Sequence, residues 1–241
     1  MTHFLYKANT NIRYITMATS SISLPINVDV SKLTLAPPIS LDNGGKIIRL
    51  LNNGKPLVFQ TPVMNCPYGV SCYDFDKNPN AKHTMNLSFK EGHDDLRTML
   101  EQLDERLVTE GFDNSMSWFK KKLATKDVVE ALYAPIIKFS KDKETGETNT
   151  KYPPTFRIQV PMKDGKIACE IYNKEKEKIE LSPSVMKGAK VAAIVQCSGI
   201  WIAGGKFGCN FKIVQMRVTL GTNSLRSYAF LDDERIAEEI V

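Results

Sequence analysis

Trp201, Lys206, Phe207, Phe211 and Lys212 crowd around one glycine-rich stretch, Gly204-Gly205-Lys206-Phe207-Gly208. Rings interleaved with ammonium groups suit a single nucleic-acid strand. An aromatic face stacks on any base, worth roughly 1–3 kcal/mol each, while cations follow the phosphates. Arg49, Lys55 and Arg157 fall on neighbouring strands and extend the cationic surface. The alternative is that Trp201 and Phe211 fill the barrel interior, which for Phe211 is at least as good a reading, so Phe207, in the turn, is the better candidate for an exposed ring. Other chemistries find less support. The glycine run joins two strands and offers no helix N-terminus to a phosphate. Neither HExxH nor GxSxG occurs. Cys66, Cys72, His83 and His93 are separated by five, ten and nine residues, unlike the short ligand pairs of structural zinc sites. With three histidines in all, no nucleophile–base pair has local support. The expectation is a non-enzymatic chain with no catalytic residues, no metal and no cofactor.

The elements that must carry these residues are legible from hydrophobic period. Lys46 to Leu51 and Pro56 to Gln60 read as strands around Asn52-Asn53-Gly54-Lys55, where glycine after asparagine supplies the positive φ of a tight hairpin. Val70, Cys72 and Tyr73 suggest a short strand. His83, Met85, Leu87 and Phe89 alternate with polar residues, the mark of a half-buried strand. The period then changes. Leu96, Met99, Leu100, Leu103 and Leu107 lie on one helical face, with Asp94 and Asp95 at its dipole-positive start. Gly111 is expected to close that helix. Met116, Phe119 and Leu123 mark a second helical stretch, and Asp127 can cap a third over Val128 to Tyr133, before Pro135. Trp118 in this block is expected in the core. Beyond a charged loop, Lys141 to Tyr152, the β pattern resumes. Phe156, Ile158 and Val160 alternate with Arg157 and Gln159, Lys163-Asp164-Gly165-Lys166 makes a turn, and Ile167, Cys169 and Ile171 share a face. Lys190 to Ile202 and Cys209 to Thr219 are long strands joined through Ala203 to Gly208.

Strands, a helical block and strands again define a mainly β chain with a helical insertion (α+β), compatible with an OB-fold-like β-barrel. Residues 1–45, with Pro25, Pro37 and Pro38, read as an irregular N-terminal arm. Met17-Ala18-Thr19 is a plausible second start, so 1–16 is expected to be dispensable. The OB-like domain spans 46–230 with its helical insertion at about 94–139, and 231–241 is an acidic C-terminal tail.

The chain has 241 residues, enough to bury a sizeable core without staples. Five cysteines with no CxxC pair argue against a secreted disulfide framework. No apolar run approaches the ~20 residues of a membrane helix, and the first residues do not resemble a signal peptide. An intracellular protein with no membrane partner is expected. The net charge of +5 is uneven: residues 231–241 carry −4 through Asp232, Asp233, Glu234, Glu238 and Glu239 against Arg235, leaving +9 on the rest. A basic body with an acidic end suggests a polyanion site and a tail able to compete for it.

Met186-Lys187-Gly188-Ala189-Lys190-Val191, Ser198-Gly199-Ile200-Trp201, Gly205 to Gly208 and Phe211 to Val218 together resemble the last two barrel strands of the single-stranded DNA-binding proteins of the coliphage T-seven type. Lys141 to Thr148 and Lys163 to Ile167 are similar to two basic turns of that family. Asp42 to Lys46, Gln60-Thr61-Pro62 and Tyr68-Gly69 resemble its relatives in nucleo-cytoplasmic large DNA viruses. The likeness covers roughly Asp42 to Leu231. It implies an OB-fold, sequence-tolerant single-strand binding in viral DNA replication, recombination or repair, and a homodimer. It also implies replication proteins as partners of the acidic tail. The place of action would be host cytoplasm or nucleus at sites of viral DNA replication, with packaging in the virion compatible. The tail here is short and ends Ile240-Val241 rather than in an aromatic residue, and Leu231, Ile236 and Ile240 could instead line a short helix. The rival reading is a virion structural or scaffold protein using the same barrel for protein contacts.

Overall fold

The computed structural model describes residues 22–72, 81–123, 125–142 and 144–221. The strands that build and edge the site are, in chain order, β1 (Lys46–Ile48), β2 (Val58–Gln60), β3 (Met64–Cys66), β4 (His83–Ser88), β5 (Tyr133–Ala134), β6 (Ile137–Lys138), β7 (Thr155–Val160), β8 (Glu170–Tyr172), β9 (Ala189–Ala203) and β10 (Lys206–Thr219). Between β4 and β5 lie α1 (Asp94–Asp113), α2 (Ser115–Phe119) and α3 (Lys126–Leu132).

Their register closes a ring. Asn65 of β3 pairs with Ser88 of β4, and β4 runs antiparallel to β7 from Ser88↔Thr155 to His83↔Val160. Strand β7 is parallel to β10 at Gln159↔Lys212, β10 is antiparallel to β9 along its whole length, and β9 returns to β3 through Ala189↔Cys66. Numbering the five staves along the chain, the order round the ring is 1-2-3-5-4 and back to 1. This is the Greek-key order of an OB-like barrel, and it makes the chain mainly β with a helical insertion between the second and third staves. The parallel contact between β7 and β10 exists because β8 and the long β9 intervene in sequence.

Alternation along each stave sends one row of side chains inward. Phe59, Phe156 and Phe211 meet in the interior with ring centroids 5.2–6.3 Å apart and are fully or almost fully buried. Phe211 meets both of the other rings edge to face and Phe59 stacks on Phe156, and packing of this kind adds to the area each ring removes from water. The helix α1 seals one end. Its leucine and methionine face is buried as its spacing requires, and Asp94 and Asp95 occupy its first turn. Gly111 does not end the helix, which runs on to Asp113. A Cβ there would lie 2.8 Å from the Phe207 ring, so the glycine is required for close approach rather than for a cap. Trp118 is buried, as expected.

The Asn53-Gly54 hairpin forms with both residues at positive φ, 50° and 74°. The proline-bearing stretch before β1 is not the irregular arm expected: it forms two 3-10 turns, Pro25–Asn27 and Val30–Lys32, and two short paired strands, Thr34–Leu35 and Ile39–Ser40. It packs Val28, Val30 and Leu33 into the core, and Arg106 of α1 donates to the carbonyls of Val30 and Leu33. The expectations for residues 1–16, Tyr73 and the acidic segment Asp232 to Glu239 lie outside the described residues. Among the described residues, no helix is long and apolar enough to cross a membrane.

Candidate nucleic-acid interface

Two β-bulges decide which residues the long β9–β10 hairpin presents outward. Cys197 pairs with Phe211 and Gly199 with Asn210, leaving Ser198 extra on β9. Further along, Val195 pairs with Ile213 and Ile194 with Gln215, leaving Val214 extra on β10. Each extra residue reverses the alternation, so a bulge re-aims every side chain beyond it. Gly199 takes φ +116°, and a Cβ on it would stand 2.8 Å from the Ile48 carbonyl of β1. With the first bulge in place, Ile200 and Ile202 point in and Trp201 points out, partly exposed.

Opposite Trp201 stands Gly208, whose missing side chain is the reason the indole fits: a Cβ there would be 3.0 Å from Trp201 Cζ2 and 3.0 Å from the Ala134 carbonyl. The ring therefore lies across the outer surface of β10 against β5. Strand β5 is held by α1. Asp104 accepts from the Tyr133 hydroxyl and from the Ile136 backbone N–H at 3.0 Å. Burial raises the Asp104 carboxyl, opposed by these hydrogen bonds. This clamp fixes the Tyr133–Lys138 segment as one wall of a groove of about 190 Å³. Thr84, Lys138, Arg157, Gln159, Trp201 and Asn210 supply its polar and aromatic lining. Arg157 Nε is 3.2 Å from Asn86 Oδ1, its cross-strand partner on β4.

Two cations thus share one groove, and among the described residues no carboxylate lines it. Lys138 is pushed below the ordinary lysine range, by burial first and by the Arg157 charge second, with Asp104 pulling the other way. Like charges that line one groove with no carboxylate among the lining residues favour binding an anion there.

The residues singled out in the sequence separate clearly. Trp201 and Arg157 line the groove together. Lys212 is exposed on the same outer face, between Gln159 and Gln196. Lys206 is exposed at the hairpin end, Arg49 is exposed between two strands rather than on one, Lys55 is exposed at the Asn53-Gly54 hairpin, and none of the three lines the groove. Phe207 is not an exposed ring: it is completely buried, with Tyr133, Phe119 and Trp118 at 4.9, 5.4 and 5.8 Å. The turn itself consists only of Gly204 and Gly205, so Phe207 already belongs to β10 and alternation turns it inward. Phe211 is interior too. Thr84 and Gln159 were visible as outward positions of their strands. Lys138 carries no such signal, because its place at the groove depends on pairing between distant segments, of β5 with β10 and of its own β6 with β7 at Lys138↔Thr155. Among the described residues, no group of three or more histidine, cysteine or acidic side chains is placed to hold a metal.

The fold and groove define a mainly β, OB-like barrel with a cationic outer face edged by one tryptophan. By sequence the chain belongs to a family of unknown function, DUF5871, whose profile matches residues 78–232. No curated protein matches it. Among solved structures it is similar to the single-stranded DNA-binding protein from bacteriophage Enc34 in complex with ssDNA, at 12% identity and a TM-score of 0.45, covering 80% of this chain and 98% of that one. It is also similar to gp2.5, a single-stranded DNA-binding protein encoded by bacteriophage T7, at 10% identity and a TM-score of 0.43, covering 73% of this chain and 98% of that one.

Proposed function

We propose that this protein is a non-catalytic, sequence-tolerant single-stranded DNA-binding protein acting in viral DNA replication, recombination or repair. One observation carries the reading: Trp201 lies in the same open groove as Lys138 and Arg157, with no carboxylate among the described residues that line it. A base stacks on the indole, and the two cations hold the flanking phosphates. Gln159, Asn210 and Thr84 donate or accept without demanding one base. Lys212 continues the cationic track. The acidic segment Asp232 to Glu239 competes with DNA for this face and docks replication proteins, a role supported by the charge split between it and the rest of the chain. The chain works as a homodimer in host cytoplasm or nucleus where viral DNA is copied.

The test is a titration followed by intrinsic tryptophan fluorescence, to which buried Trp118 adds a background and Trp201 the groove signal, and by anisotropy of labelled oligo-dT, beside a duplex of equal length. Expected are quenching by the single strand, preference for it over the duplex, and a log–log salt slope of about −0.7 per phosphate contacted. Replacing Lys138 and Arg157 by alanine flattens that slope by about 1.4. Equal and weak binding of both nucleic acids would refute the reading and favour a scaffold that uses the barrel for protein contacts.

A further inference from the structure

The outer face of β10 does not end at the Trp201 groove. Beyond Asn210 and Lys212 the second bulge, at Val214, turns Gln215 and Arg217 outward where unbroken alternation would have sent them into the core. They emerge beside β8, which takes over from β7 as the parallel neighbour of β10: Glu170↔Gln215 and Tyr172↔Arg217 follow Gln159↔Lys212. On the other side of β10 stand Ile194 and the small Ala192. The small residues leave a second hollow, of about 310 Å³, edged by Gln60, Tyr172, Lys176, Ile194, Gln215 and Arg217. Its composition resembles that of the first groove: one partly exposed aromatic ring, two cations (here both exposed) and amide side chains, again with no carboxylate among the described lining residues.

We propose that single-stranded DNA runs along the outer face of β10 from the Trp201 groove into this second hollow, where Tyr172 stacks a base and Lys176 and Arg217 hold phosphates. This rests on the function proposed above and extends it. From Gly208 to Arg217, at ~3.3 Å per residue, the track is about 30 Å long. Lys212 and Gln196 lie between the two ends and keep the path polar. Glu175 and Glu177 flank Lys176 in sequence, and Glu177 accepts from the Asn173 amide at 2.8 Å. Glu170, on β8, does not oppose the path as a free charge. It pairs with Lys178 at 2.9 Å and accepts from Gln215 at 3.0 Å and the Tyr172 hydroxyl at 3.1 Å, and these hydrogen bonds, led by Lys178, hold its carboxyl below the usual range. The same contacts fix the Tyr172 ring and the Gln215 amide at the rim of the hollow. Ser198 and Val214 thus have one joint consequence: together the bulges put Trp201 and Arg217 on one surface.

The experiment compares the whole chain with a Lys176→Asn/Arg217→Ala variant and with Tyr172→Leu, on oligo-dT of about 16 nucleotides, the upper end of OB-fold site sizes. Asparagine suits position 176, where φ is +66°. The double variant is expected to bind with a salt slope less steep by about 1.4. Tyr172→Leu is expected to bind about 5- to 150-fold more weakly. In both, Trp201 quenching at saturation stays at the wild-type amplitude, because the first groove is still filled. If both variants keep wild-type midpoint and slope while Trp201→Ala weakens binding, the path ends at the first groove, and this extension falls while the proposed function stands. If the unaltered chain shows no single-strand binding, both fall.

Discussion

Exchanging Phe207 and Trp201 for alanine, one at a time, should separate folding from binding on a single hairpin. The two residues sit six positions apart on paired strands, but one ring faces the core and the other the groove. Phe207 is completely buried among Tyr133, Phe119 and Trp118 under α1. Its removal leaves a cavity that rigid neighbours cannot fill, costing about 3–5 kcal/mol. In a chain of this size each kcal/mol moves the midpoint by about 2–4 °C, so Tm should fall by about 6–20 °C. Trp201 is partly exposed and rests on Gly208. Its truncation should lower Tm by less, while the loss of about 1–3 kcal/mol of stacking weakens single-strand binding about 5- to 150-fold at 1.4 kcal/mol per tenfold. Thermal unfolding by circular dichroism reads the first quantity and anisotropy of labelled oligo-dT the second. A Phe207→Ala chain that keeps its Tm yet loses DNA would refute the burial argument. A Trp201→Ala chain that binds like the parent would remove the stacking ring from the site.

Two further outcomes follow from the groove and its support. The folded-state pKa of Lys138 is depressed below its ordinary value of 10.5, so between the two values the unfolded chain binds more protons and stability rises as pH rises through that window. Lys138→Met should abolish that rise and stabilise the fold at neutral pH. It should also flatten the salt slope of binding by about 0.7 and remove the loss of affinity that the parent shows as Lys138 deprotonates at alkaline pH. At Gly111, alanine would ordinarily add about 1 kcal/mol to a helix. Its Cβ would instead stand 2.8 Å from the wedged Phe207 ring and 3.1 Å from Val129, so overpacking of about 1–3 kcal/mol should win and urea unfolding should show a net loss. Phe207→Leu in the same chain should reduce that penalty, giving a coupling energy by double-mutant cycle.

What the sequence determined by itself is local. Alternation at Phe156, Ile158 and Val160, the Leu96–Leu107 face and the Asn53-Gly54 turn follow from backbone period and glycine conformation, which depend on near neighbours alone. They suffice to define strands, a helical insertion and strands, and they place Arg157 outward correctly. The tertiary structure decided the rest. Whether a ring on β9 or β10 faces solvent depends on the strand ends and on the bulges at Ser198 and Val214, and those arise from pairing across the hairpin and against Ile48. That is why Phe207 read as an exposed turn residue but is core, and why Arg217 gave no sign of sharing a face with Trp201. Lys138 reaches the groove through the parallel contact of β5 with β10, the antiparallel pairing of β6 with β7 and the grip of Asp104 on Ile136, all between residues far apart in the chain. Period describes a strand's two faces. It takes closure of the barrel to say which of them meets water.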